Sequence, residues 1–277
     1  MMPGMARVPE GPPPPPVVQR LRLQYAKRGR LRFSSHRDFQ RALERALRRA
    51  GVPMAYSAGF NPHPKISYAN AAPTGAASEA EYVELGLARR CEPEAVRAAL
   101  DRALPPGLDI VTMVEAGPGA LAERLQASRW QIRLPGVPTA LLRVAVDALM
   151  AATSVPVQRL TKAGQRTVDA RSALVRAEVL VDPAAAGNRP ADPAGGQSQA
   201  SRASSPPADC AILDMVVRHT TPAVRPDDVL AALRVVADLA PPSPPVATRL
   251  AQGPLDEADG AVADPLAADQ TTSASDA

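Results

Sequence analysis

The sequence predicts an α+β protein made of two tandem ferredoxin-like (split βαβ) units, with disordered termini and a disordered insertion. Residues 18–117 read strand, helix, strand, strand, helix, strand, which is the order of the split motif. Residues 126–252 repeat a similar rhythm. The 31 prolines of the 277-residue chain cluster at particular places, which points to disordered segments between folded ones. Hydrophobic residues make up 45% but aromatics only 3%, so the cores must be aliphatic.

In chain order, residues 1–17 hold the proline run 12–16 and no periodicity, and read as a disordered leader. Residues 18–25 alternate apolar and basic side chains as a half-buried strand does. The chain then turns through Gly29, and 31–33 are expected to pair back. Ser35 and Asp38 form a capping box, and Phe39, Ala42, Leu43, Ala46, Leu47 and Ala50 recur at helical spacing until Gly51 and Pro53 end the helix. Short strands are expected at 54–57, 65–69 and 81–88, a helix at 92–104 and a closing strand at 108–114. In the second unit the pattern gives strands at 129–134 and 155–161 around a helix at 139–151. A basic turn spans 162–171 and a strand 174–181. Residues 182–208, rich in Pro, Ala, Gly, Ser and Gln, read as the disordered insertion. A strand at 210–218, a helix at 225–239 and a strand at 246–250 follow. Residues 253–277 read as an acidic disordered tail; from Asp256 onward it has six acids and no base.

Charge is concentrated near the front. Between Arg20 and Lys65 there are twelve Lys or Arg against Asp38 and Glu44, a net of plus ten in a chain whose net charge is plus four. The first helix carries Arg37, Arg41, Arg45, Arg48 and Arg49 opposite its apolar face, and Glu44 can pair with only one or two of them. A field of that sign attracts polyanions, phosphate backbones above all. The second signal is the turn Gly59-Phe60-Asn61-Pro62-His63-Pro64-Lys65. Two prolines hold His63 on a stiff extended backbone, and Asn61, His63 and Lys65 converge within five residues. Arginines and turn are expected to look into a common hollow.

Cys91 and Cys210 offer neither a disulfide framework nor a metal-binding spacing, and fit a reducing compartment. No apolar run approaches a membrane span and no signal-peptide segment is evident, so the sequence reads as cytoplasmic. Glu79 and Glu81 lie two apart near a strand start, but without further ligands no metal site is expected, and no cofactor.

The runs at 25–38 (YAKRGRLRFSSHRD), 50–57 (AGVPMAYS), 59–65 and 78–83 (SEAEYV) resemble a bacterial family described as radical SAM-associated or radical SAM-linked proteins, whose domain is of unknown function. The similarity extends more weakly through Lys162, Asp169, Arg171, His219 and Arg225-Pro226-Asp227. The resemblance implies a partner, a radical SAM protein with a cobalamin-binding-like region encoded beside or fused to this domain, and no established activity. The insertion at 182–208 and Ala71-Ala72-Pro73 depart from the family pattern.

An iron–sulfur cluster of the radical SAM type needs three closely spaced thiolates, which two distant cysteines cannot supply. The expectation is therefore an accessory, substrate-presenting protein acting with a separate radical SAM enzyme and binding RNA or another phosphate-bearing substrate. The expected contacts are Lys27, Arg30, Arg32, Arg37, Arg41, Arg45, Asn61, His63 and Lys65, with Lys162 and Arg171 from the second unit. The scarcity of aromatics argues against base stacking and for phosphate contacts or a structured RNA. Two alternatives stand beside it. One is an RNA-processing enzyme with His36 and His63 as general acid and base and Lys65 or Arg37 stabilising the phosphorane. The other is a purely structural docking subunit.

Overall fold

The computed structural model describes residues 14–161, 164–181 and 210–270. The expected leader through residue 13, the insertion at 182–208, Lys162 and residues 271–277 lie outside them. The protein is a mixed α+β fold in two units. The first takes residues up to 125 together with 251–254 and the residues from 263 onward, and the second takes 126–250 with 255–262.

In unit 1, β1 (Gln19–Lys27) is followed by a 3-10 turn, then α1 (His36–Arg49), β2 (Ile66–Ala69), β3 (Ala77–Leu87), α2 (Pro93–Ala103), β4 (Leu108–Glu115) and the short α3 (Leu121–Arg124). The sheet order is β4-β1-β3-β2, every neighbouring pair antiparallel. Residues 31–33, expected to pair back on β1, instead lie in the 3-10 turn Gly29–Phe33. The reason is that β3 and β4 already occupy both edges of β1.

Strand alternation sends Leu21, Leu23, Tyr25, Val83, Leu85 and Leu87 to one face. There they meet Phe39, Leu43, Ala46 and Leu47 of α1 and Val96 and Leu100 of α2. Phe39 stacks on Tyr25 with centroids 4.0 Å apart. The other face is also covered: Ala80, Tyr82 and Val114 pack with Leu121, Leu125 and Leu266.

On that second face sits a buried ionic cluster. Arg22 is only 2% exposed. It donates to both oxygens of Asp269, at 3.2 and 3.0 Å, and to Glu84 at 2.9 Å. Arg124 and the Gly117 amide donate to the same Asp269 carboxylate, each at 3.0 Å. Burial alone would lower the Arg22 pKa, but Glu84 and Asp269 outweigh it and hold the guanidinium above its usual value. The reading of everything after 253 as a disordered tail is therefore corrected through residue 270. The acids there have fixed partners, and Asp269 is 1% exposed.

Unit 2 comprises β5 (Ala127–Pro135), α4 (Thr139–Ala151), β6 (Pro156–Thr161), β7 (Gly164–Asp169), β8 (Leu174–Leu180), β9 (Cys210–Arg218), α5 (Pro226–Ala237) and β10 (Val246–Gly253), whose residues 246–250 belong here. Its sheet runs β10-β5-β9-β8. Setting aside the β6–β7 hairpin, both units share the order last, first, third, second. That hairpin replaces part of the expected basic turn at 162–171. Arg159 of β6 is bound by Asp228 at the start of α5. No helix among the described residues is long and apolar enough to cross a membrane.

Asp169 closes the hairpin onto α4's exit, accepting from the amides of Val155 at 2.9 Å and Arg171 at 3.0 Å. Burial pushes its pKa up, but these bonds, with Ser154 and Ser172, outweigh burial and hold it below the usual carboxylate range. A depressed folded pKa gives stability that is complete above the unfolded value of about 3.9 and is lost as pH falls through the folded one. Asp169→Asn is therefore expected to lose less stability than wild type when acidified below about pH 4, as read by urea midpoints across a pH series. Equal acid sensitivity would count against the assignment.

Candidate functional site

The first helix is fixed at its start by its own sequence. Ser35 Oγ accepts from the Asp38 amide at 3.2 Å, and the Asp38 carboxylate accepts from the Ser35 amide at 3.1 Å. The Ser35 hydroxyl and amide, helped by Arg41, keep the Asp38 carboxyl below its usual range. With Phe39, Leu43, Ala46 and Leu47 buried, the opposite face is set. Arg37, Arg41, Arg45 and Arg48 follow one another at steps of four, four and three, which keeps them within about 80° of arc. All four are exposed, and among the described residues none has a salt-bridge or side-chain hydrogen-bond partner. Arg49 differs, donating to the Ala103 carbonyl at 3.3 Å.

The remaining cations of the front segment divide sharply. Arg20 pairs with Glu84 at 2.8 Å, and Arg28 with Asp109 at 2.8 Å and with Glu79. Lys27, expected as a surface contact, is 4% exposed. Its Nζ is 3.4 Å from the carbonyls of both Ala72 and Pro73. The buried Glu81 holds the Ala72 amide at 3.0 Å, so Lys27 and Glu81 together pin the 72–73 loop. Glu79 and Glu81 do not act as a pair, because a register shift opposite β1 intervenes and each has its own partner. Arg30 is exposed. Arg32 lays its guanidinium over the Phe33 ring, 4.7 Å from the centroid. Its Nε has no hydrogen-bond partner among the described residues.

The proline turn is an excursion from the sheet. Ala55 and Lys65 are held by backbone bonds to each other and to Gly86. The bridge Tyr56↔Pro64 closes the base, and the Ser57 amide donates to the His63 carbonyl while the Ser57 hydroxyl accepts from the His63 amide. Two glycines make this possible. Gly59 at the tip has φ +125, and a side chain at Gly86 would meet Lys65 Cβ at 3.2 Å. Asn61, His63 and Lys65 are all exposed.

The expected common hollow is corrected in size and in membership. Between α1 and the turn lies a space of about 20 Å³, lined by Glu44, Arg48, Tyr56 and Pro64 among others, and neither His63 nor Lys65 is in its wall. That holds about one water molecule. Of the four exposed arginines, Arg48 lines it and Arg37, Arg41 and Arg45 do not. Arg171 is corrected too: its guanidinium donates to the carbonyls of Met150 at 3.3 Å and Leu174 at 2.9 Å and ties α4 to β8.

The two histidine candidates do not meet. His36 Nε2 is 3.1 Å from Gln40 Nε2, and its ring stands edge-on to Tyr68, while His63 projects from the turn. The Tyr68 phenol, pushed up first by burial and then by the Glu44 charge, stays neutral and has no hydrogen-bond partner among the described residues. In unit 2, Ser128 Oγ lies 2.7 Å from His219 Nε2, a nucleophile–base spacing that sequence reading missed. Ser128 is 2% exposed, which shuts a substrate out. A hollow of about 650 Å³ in unit 1, beside Arg90, Glu92, Glu94, Glu115 and Gln270, was also missed. Its charges are already engaged, Arg90 with Glu115 and Glu94 with Arg97. Among the described residues no group of His, Cys, Asp and Glu is placed to hold a metal ion.

A family model described as "Uncharacterized protein conserved in bacteria (DUF2344)" matches residues 20–226, about three quarters of the chain. The chain belongs to this family. The DUF2344 match takes in α1, the proline turn and the loop pinned by Lys27, and ends as α5 begins; Asp269 and its neighbours fall beyond it. No curated protein matches the chain.

Proposed function

We propose that this DUF2344 protein is a cytoplasmic accessory protein that holds RNA, or another phosphate-bearing polymer, on the exposed face of α1 for a separate radical SAM enzyme. One observation carries the reading: Arg37, Arg41, Arg45 and Arg48 form a row of exposed guanidinium groups, none with a salt-bridge or side-chain hydrogen-bond partner among the described residues. Neighbouring cations pair with Glu79, Glu84 and Asp109, whereas these four form no salt bridge among the described residues, Arg41 acting on Asp38 only through space. Leaving like charges side by side costs stability unless an anion arrives. The hollow that Arg48 lines, about 20 Å³, is too small to enclose a metabolite, which favours a polymer lying across the surface.

The radical SAM partner rests on the resemblance of the 25–38, 50–57, 59–65 and 78–83 motifs. Two distant cysteines leave the cluster, and hence the radical step, to that partner. Both units are inferred to be ferredoxin-like. In support, unit 1 has the element order βαββαβ and strand order β4-β1-β3-β2, and unit 2 repeats it with the β6–β7 hairpin inserted.

The test is to purify the full chain with and without the co-expressed radical SAM protein and titrate each with labelled RNA at rising salt. Retention at low salt, falling linearly on a double-logarithmic plot, is expected for both. No RNA capture even at about 50 mM salt would remove the reading.

A further inference from the structure

Composition pointed away from base stacking; the placement of the few aromatic residues points toward it. The chain has eight, four Tyr, three Phe and one Trp. Tyr25, Phe39, Tyr82 and Trp130 are buried. Phe33, Tyr56 and Phe60 are instead 59%, 38% and 67% exposed. Exposing a phenyl ring forgoes the burial that aromatic residues ordinarily supply.

All three flank α1. Phe33 closes the 3-10 turn two residues before the Ser35 cap, at the end of the helix where Arg37 lies, and carries the Arg32 guanidinium on its ring. At the other end, Tyr56 shares the wall of the small hollow with Arg48. Phe60 stands at the tip of the turn that Tyr56 and Pro64 close. The arginine row thus has an exposed ring at each end.

We propose that the face of α1 takes a single-stranded polynucleotide, its phosphates along the arginine row and unpaired bases stacked on Phe33 and Phe60. This rests on the reading above and narrows it. A duplex hides the π-faces of its bases, so two exposed rings gain nothing from one; an unpaired strand offers a π-face at each nucleotide. Arg37, Arg41 and Arg45 are about 6 Å apart along the helix axis, a separation suited to successive phosphates of one extended strand, and the 14-residue helix, about 21 Å long, spans a few nucleotides. An acidic protein face would satisfy the arginines but gives the rings no planar partner.

The probes are a labelled oligouridylate of about twelve nucleotides, the oligodeoxythymidylate of equal length, and an RNA duplex of equal length, titrated against the full chain by fluorescence anisotropy. Both single strands are expected to bind at least tenfold more tightly than the duplex. Phe33→Ala and Phe60→Ala should each weaken single-strand binding by about tenfold, leave the duplex unaffected, and be rescued by tyrosine. Because both rings are exposed, neither change threatens the fold. Equal affinity for strand and duplex, with neutral phenylalanine variants, overturns the stacking proposal while the anion-gripping reading stands. Capture of none of the three probes at low salt overturns both.

Discussion

Replacing Asp269 by alanine is expected to cost about 3–5 kcal/mol of stability, the magnitude that follows from removing one partner of a buried ion pair. The carboxylate is 1% exposed and accepts from Arg22, Arg124 and the Gly117 amide. Without it, the Arg22 guanidinium, itself 2% exposed, keeps among the described residues Glu84 and the Gly119 carbonyl, so a buried charge loses its bidentate partner. Cutting the chain after 262 acts in the same direction, since it also withdraws Leu266, 0% exposed, from Ala80, Tyr82 and Leu121. The probe matters. The single tryptophan, Trp130, reports on unit 2, so the loss must be followed by circular dichroism during urea unfolding. Asp147→Ala, an exposed acid on α4, is the control and should stay within about 0.5 kcal/mol of wild type. A matching small effect for Asp269→Ala would mean that Arg22 is held well enough by Glu84 alone.

What could be read from the sequence was local. The Ser35–Asp38 box and the 39, 42, 43, 46, 47 spacing set α1, and the periodicity at 139–151 set α4, because each signal involves residues one or two turns apart. What could not be read depended on partners far away. Arg22 and Lys27 look like surface cations by type, but Arg22 is satisfied by a residue 247 positions later and Lys27 by a loop 45 positions later. The acidic composition of the C-terminal segment suggested solvation for the same reason. Residues 31–33 have strand-forming side chains, but no free sheet edge was left for them. The 164–169 strand is polar except for Val168 because its hairpin is mostly exposed, so it carried no apolar alternation. At the candidate site, helix periodicity placed the arginines, whereas the exposure of Phe33 and Phe60 is a property of packing that aromatic content could not reveal.

Reversing two of the arginines, Arg41→Glu with Arg45→Glu, is expected to weaken RNA binding at low salt by one to two orders of magnitude. These residues sit mid-row, one helical turn apart, and neither makes a salt bridge or side-chain hydrogen bond among the described residues, so the change removes two cations from the face without breaking an internal bond. The fold should survive it, since both side chains are exposed. For a single strand, each phosphate neutralised contributes roughly 0.7 to the slope of log K against log salt. Loss of two contacts should flatten that slope by about 1.4, and the two introduced carboxylates should lower the affinity further by repulsion. The slope separates this mechanism from a general weakening, because a variant that merely unfolded would lose affinity at every salt concentration alike. Lys27→Ala supplies the contrast: Lys27 is buried against the 72–73 loop, so its removal should lower the urea midpoint and leave the salt slope of the remaining folded protein unchanged. If the double reversal binds RNA with the wild-type slope, the row on α1 is solvated surface, and the bound strand must be sought on another face of the protein.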